Sequence, residues 1–157
     1  SHRSAFPRGG GLAEGHTIYT QSENAPDAEA GSRAEAENRA DAIAGVDLTA
    51  EPDDVANILV DLAQRETKTY SMQFARLAVG ELKATARLHK NPVKSAGFKV
   101  LKAPDVPSVL VELGYMSTKA DLKLLTSTAC QAKTAAGMAQ AVDHYSAPRL
   151  EPVAGPS

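Results

Sequence analysis

Glu112 stands in the run Val109-Leu110-Val111-Glu112-Leu113, which is otherwise apolar. Such a run fits a strand covered on both faces of an α/β sheet. A carboxylate there costs several kcal/mol unless it is paired, neutralised or set against a cation. Glu112 also lies close to the strand's C-terminal end, just before Gly114, the edge at which open α/β sheets bind ligands. Two readings are open: an ion pair with a lysine or arginine at the strand end, or a functional carboxylate. The other residues able to do chemistry are less pointed. His2, His16, His89 and His144 show no short metal-ligand spacing, and each taken singly suits a surface or capping role. Cys130 is the only cysteine, so no intrachain disulfide and no CxxC pair can form.

Composition removes several function classes. With 17 basic and 19 acidic side chains the net charge is -2, which gives no electrostatic footprint for nucleic acid or an anionic membrane. Four tyrosines, three phenylalanines and no tryptophan leave few rings on which bases could stack. No run approaches the roughly 20 apolar residues of a membrane span.

The elements that must position Glu112 follow from periodicity. Residues 1–15 read as a Gly-rich loop, and His16-Thr17-Ile18-Tyr19-Thr20 as a strand of β-branched and aromatic residues. A helix is expected from Pro26-Asp27 to about Ala44, stopped by Gly45. Ile43 is its only large apolar residue, so a core can grip it only weakly. A linker over 46–52 leads to a helix start at Pro52-Asp53-Asp54, where Val55, Ile58, Leu59 and Leu62 make one apolar face. A polar break at Arg65–Thr69 then separates it from a second helical stretch reaching about Arg87, and Asn91-Pro92 ends that pattern. Gly97–Leu101 and Val106–Leu113 are strand candidates. Lys119–Leu125 and Lys133–Tyr145 are helical, the last with a stripe of Ala135, Met138, Ala139 and Val142. Residues 146–157, with three prolines, read as a disordered tail.

The segment from Ala96 through Ser117, centred on Pro107-Ser108-Val109-Leu110-Val111-Glu112-Leu113-Gly114-Tyr115, closely resembles the closing segment of the zinc-dependent N-acetylmuramoyl-L-alanine amidases. Ile18-Tyr19-Thr20-Gln21-Ser22-Glu23, the Glu37-Asn38 pair and Asp41–Leu48 extend the resemblance over about 1–145. They point to the cell-division branch, which carries a helical insertion between two core strands. The resemblance implies an α/β fold: a partial amidase-type sheet flanked by helices, with a helical regulatory insertion at about 27–88. It also implies that residues 1–145 are the C-terminal portion of the catalytic domain.

The resemblance carries a chemistry too. The family hydrolyses the amide between N-acetylmuramic acid and L-alanine of peptidoglycan, using zinc to activate water. Glu112 matches the family's catalytic glutamate, with burial helping to tune its pKa. His2, in His2-Arg3-Ser4-Ala5-Phe6-Pro7, resembles the second zinc-binding histidine, although Arg3 and Ser4 depart from the usual residues. The family's first histidine and its glutamate ligand fall upstream of Ser1, so the chain supplies at most one zinc ligand. Glu37 resembles the carboxylate with which the branch's regulatory helix blocks zinc until an activator displaces it. A solvated ion-pair ladder of Arg33, Glu37 and Asp41 is the plainer alternative. The implied partners are peptidoglycan and a LytM-type activator, and the implied location is periplasmic. A non-catalytic amidase-like module that binds cell wall or an activator is the competing expectation.

Overall fold

A computed structural model of the chain describes residues 15–45, 54–85, 87–103, 105–114 and 119–150. The organising element is β1 (His16–Gln21), which forms where the sequence puts Thr17, Ile18, Tyr19 and Thr20 in succession. It is the middle strand of a three-stranded sheet of order β2-β1-β3. β2 (Leu88–Ala96) runs parallel to it, and β3 (Leu110–Glu112) runs antiparallel. Successive β1 side chains point to opposite faces, and each face has its own core. Ile18 packs with Ala75, Ala78, Leu82 and Ala141 from α2 (Asp54–Lys83) and α4 (Thr128–Leu150). Tyr19 packs with Ala30, Ala34, Ala96, Phe98 and Leu101, bringing in α1 (Ala28–Ile43). A short α3 (Lys119–Leu125) precedes α4. The α/β class holds, with α1 and α2 lying between β1 and β2 in the chain.

Several sequence expectations are corrected. β2 occupies Leu88–Ala96, where the periodicity placed a helix end and then a proline break. Pro92 is accommodated because the ladder slips: His16 pairs with Leu88 but Ile18 pairs with Val93, so the extra residues bulge out. The strand expected at Gly97–Leu101 is instead a single 3-10 turn over Lys99–Leu101. No break interrupts α2 at Arg65–Thr69. The polar side chains there bond within the helix: Arg65 to Asp61 at 3.3 Å, Tyr70 to Glu66 at 3.1 Å and Ser71 to the Thr67 carbonyl at 2.9 Å.

The face expected to bury Ile58, Leu59 and Leu62 is open, and these side chains remain 66%, 68% and 58% exposed. α4 is turned by about one residue from its expected stripe, burying Thr134, Gly137 and Ala141 while Val142 stays half exposed. Gly137 explains the turn. A Cβ there would sit 3.0 Å from Thr85 Oγ1 and 3.3 Å from Leu82 Cδ2, tighter than ordinary contact, so glycine suits this close approach of α4 to α2. α4 also continues to Leu150, past Tyr145 where a tail was expected. Arg149 holds this last turn, donating to the Tyr145 carbonyl at 2.6 Å and lying over the Tyr145 ring at 3.7 Å. Residues 151–157 fall outside the described residues, as do the loop expected before Gly15 and the whole 46–52 linker.

Candidate active site

β3 brings Glu112 beside β1, pairing it with Thr17 two positions from Tyr19. The strand is shorter than the apolar run suggested, and its residues are half-buried rather than covered on both faces. Glu112 keeps 18% side-chain exposure and points to the α1 side. Both of its oxygens are engaged. Arg33 Nη1 lies 2.9 Å from Oε1, and the Tyr19 hydroxyl donates to Oε2 at 3.0 Å. The ion-pair reading of Glu112 is thus realised, but its partner comes from α1 rather than from the strand end. Tyr19 itself is immobilised, 1% exposed and tilted against Phe98 with centroids 5.1 Å apart. Thr17 is fully buried beside Glu112, and its hydroxyl has no hydrogen-bond partner among the described residues.

α1 closes this side of the sheet. Its apolar grip is as small as its sequence implies, limited to Ala30 and Ala34. Polar ties that the periodicity did not reveal supply the rest. Asn38 clamps the helix to the turn after β2, donating to the Gly97 carbonyl at 2.8 Å and accepting from the Lys99 N–H at 2.9 Å. Asp27 caps the helix, Oδ1 accepting from the N–H groups of Glu29 and Ala30. Lys94, 3% exposed on β2, reaches Asp27 at 3.3 Å and Glu29 at 3.0 Å. Glu37 lies partly buried one turn beyond Arg33, about 6 Å along the axis. Arg33 is drawn to Glu112 rather than left in a solvated ladder with Glu37 and Asp41.

The Lys94 cluster makes α1 sensitive to pH. Burial alone would push the Lys94 ammonium down, but the hydrogen bonds and charges of Glu29 and Asp27 outweigh it and raise the pKa. Desolvation alone would push Asp27 up, yet the bonds from Lys94, Glu29 N–H and Ala30 N–H carry it below the ordinary value. A lowered carboxyl stabilises above its unfolded pKa and loses that contribution as pH falls through the folded value. A raised ammonium does so below its unfolded pKa and is lost as pH rises through the folded one. Amide protection over the first turn of α1, taken relative to the intrinsic exchange rate at each pH, is therefore expected to be greatest between the ordinary Asp and Lys values and to fall at either extreme. A flat profile across the acid limb would show that the cap and the Lys94 pairs do not hold the helix.

A cavity of about 620 Å³ lies on the opposite face of the sheet. His16, Asp121 and Cys130 line it with Val111 and Met138, and Glu112 does not. Burial pushes the His16 imidazole below its ordinary value, against the raising effects of the Arg87 backbone and the Asp121 charge. No cluster of three or more His, Cys, Asp or Glu side chains that could hold a metal occurs among the described residues. His2 lies outside them. The described residues therefore do not by themselves make a zinc site. Among them, no helix is long and apolar enough to cross a membrane.

Of the residues singled out from sequence, Glu112 and α1 are brought together, and Glu37 sits on the same helix. Tyr19, Arg33 and Asn38 are the site residues that periodicity missed. A mid-helix asparagine, poor for helix propensity, was the one available signal.

Comparison with known proteins places this geometry. One relative is the amidase AmiC of Neisseria meningitidis serogroup B, 38% identical over 109 residues, a match covering 69% of this chain and 26% of that protein. Another is AmiA of Escherichia coli K12, 35% identical over 111 residues, covering 71% of this chain and 38% of that protein. The chain thus spans well under half the length of the curated relatives it matches. The fold is similar to that of Ami1, an N-acetylmuramyl-L-alanine amidase from Mycobacterium smegmatis. The TM-score is 0.54 at 18% identity, over 89% of this chain and 50% of that one. The family model for N-acetylmuramoyl-L-alanine amidase matches residues 2–144, nearly the whole chain, and the chain belongs to that family.

Proposed function

We propose that the full-length protein containing this chain hydrolyses the amide between N-acetylmuramic acid and L-alanine in peptidoglycan. The observation that carries the reading is Glu112, a strand carboxylate largely withdrawn from water and held by two donors in a chain of the amidase family. Glu112 takes a proton from the attacking water and delivers it to the leaving amine, the work of a positioned general base and acid. Zinc, the expected cofactor, would polarise the carbonyl and acidify water. Its ligands would have to include His2 and residues beyond those described. Action in the periplasm is in keeping with relatives that are cell-wall amidases of Gram-negative bacteria, and a role in cell division is what the resemblance to that branch implies.

The helices between β1 and β2 suit a regulatory insertion. Glu37, on α1 one turn from Arg33, is the proposed blocking carboxylate. The open stripe of Ile58, Leu59 and Leu62 on α2 is the proposed contact for a LytM-type activator. Glu37→Ala in the full-length protein is expected to raise activator-independent release of stem peptides; an unchanged rate would remove Glu37 from autoinhibition.

A non-catalytic module that binds cell wall or an activator is the second reading. Metal content of the full-length protein and stem-peptide release from purified sacculi separate the two. Stoichiometric zinc with release supports the hydrolase, and absence of both supports the module.

A further inference from the structure

We propose that Arg33 is a latch on Glu112: while α1 is docked, its guanidinium withholds the carboxylate from proton transfer, and movement of α1 releases it. The inference rests on the reading of Glu112 as the proton-transfer group and adds how that group is regulated.

The two donors to Glu112 seen among the described residues belong to different parts of the fold. Tyr19 is on β1, the strand paired with β3, and its ring is fixed against Phe98 in the core. It moves with the sheet. Arg33 is on α1, which buries only two alanines and is otherwise fastened by polar contacts at its first turn and at Asn38. Of these two contacts, only the one at 2.9 Å joins the catalytic carboxylate to an element that can shift without dismantling the sheet. Hydrogen bonds weaken steeply with distance and misalignment, so a displacement of α1 by about 1–2 Å suffices to break it.

A carboxylate oxygen capped by a guanidinium is poorly placed to accept a proton from water. Its lone pairs are directed at the cation, and taking a proton would cost the 10%-exposed Arg33 its ion pair with Glu112. The latch acts on the base itself, whereas the carboxylate of Glu37 is proposed to act on the metal. One event, displacement of α1, would relieve both.

The alternative role for the same ion pair is to hold Glu112 in its working position, and the two roles predict opposite signs. The test uses the full-length protein with Arg33→Ala, Arg33→Met (which keeps an unbranched apolar stem) and Arg33→Lys. Three quantities are measured: activator-independent stem-peptide release, carbodiimide modification of Glu112 read by peptide mass spectrometry, and amide exchange over 28–43. The expected result is faster modification of Glu112 in the Ala and Met variants. Basal release should rise about 5-fold or more, the lower end of coupling between sites, with partial return in Arg33→Lys. Protection over 28–43 should persist, because Asn38 and Lys94 still hold the helix. Reduced release would overturn the latch and make Arg33 a positioning residue. Unchanged modification of Glu112 in both Ala and Met variants would overturn it as well. The modification arm does not depend on hydrolysis, so it reads the shielding of Glu112 by Arg33 separately from the activity of Glu112→Gln, which tests the hydrolase reading itself.

Discussion

Glu112→Gln in the full-length protein is expected to lower stem-peptide release from sacculi by about 10²–10⁴-fold, the usual contribution of a positioned proton-transfer group. Glutamine is nearly isosteric and still accepts from the Tyr19 hydroxyl, so the β1–β3 pairing has no steric reason to change. What it cannot do is take up and return a proton. It also removes the ion pair between Arg33 and position 112. Because the pair is mostly buried, a loss of about 1–3 kcal/mol of stability is expected from that alone. The activity loss must therefore be measured on protein shown to be folded and to match the wild type in metal content. Hydrolysis at the wild-type rate in such a protein would remove Glu112 from the chemistry.

Phe98→Ala should be the most damaging core substitution for the site, costing about 3–5 kcal/mol. Phe98 is fully buried, and its ring supports Tyr19. It also follows Ala96 and Gly97 at the point where Asn38 clamps α1 to the backbone. Truncation therefore opens a cavity in the same cluster that holds the donor to Glu112 and the buried alanines of α1. A denaturant midpoint shifted at unchanged slope is the expected signature. Phe98→Leu should recover much of the loss, because it refills most of the volume without the ring contact. If Phe98→Ala unfolds at the wild-type midpoint, this cluster does not stabilise the fold.

Much of the site was legible because local chemistry dictated it. The β-branched run of β1 and the acidic cap with alanine-rich body of α1 follow from preferences that act over a few residues. The same is true of the apolar run around Glu112, and a carboxylate among Val and Leu announces that something must satisfy it. What satisfies it was not legible. Arg33 lies far from Glu112 in the chain, and any of several basic residues could have matched an ion pair. The errors have the same origin. Pro92 reads as a stop because sequence reading cannot see a bulge, and Arg65–Thr69 reads as a break because bonds inside a helix compensate polarity without an apolar signal.

The sequence alone determined that an unusual strand carboxylate exists and that an alanine-rich helix has little apolar area to be gripped by. Tertiary structure decided that this helix lies over the carboxylate and is fastened by charge and amide contacts. Pairing partners distant in the chain are selected by the packing of the whole sheet, and no local pattern encodes them.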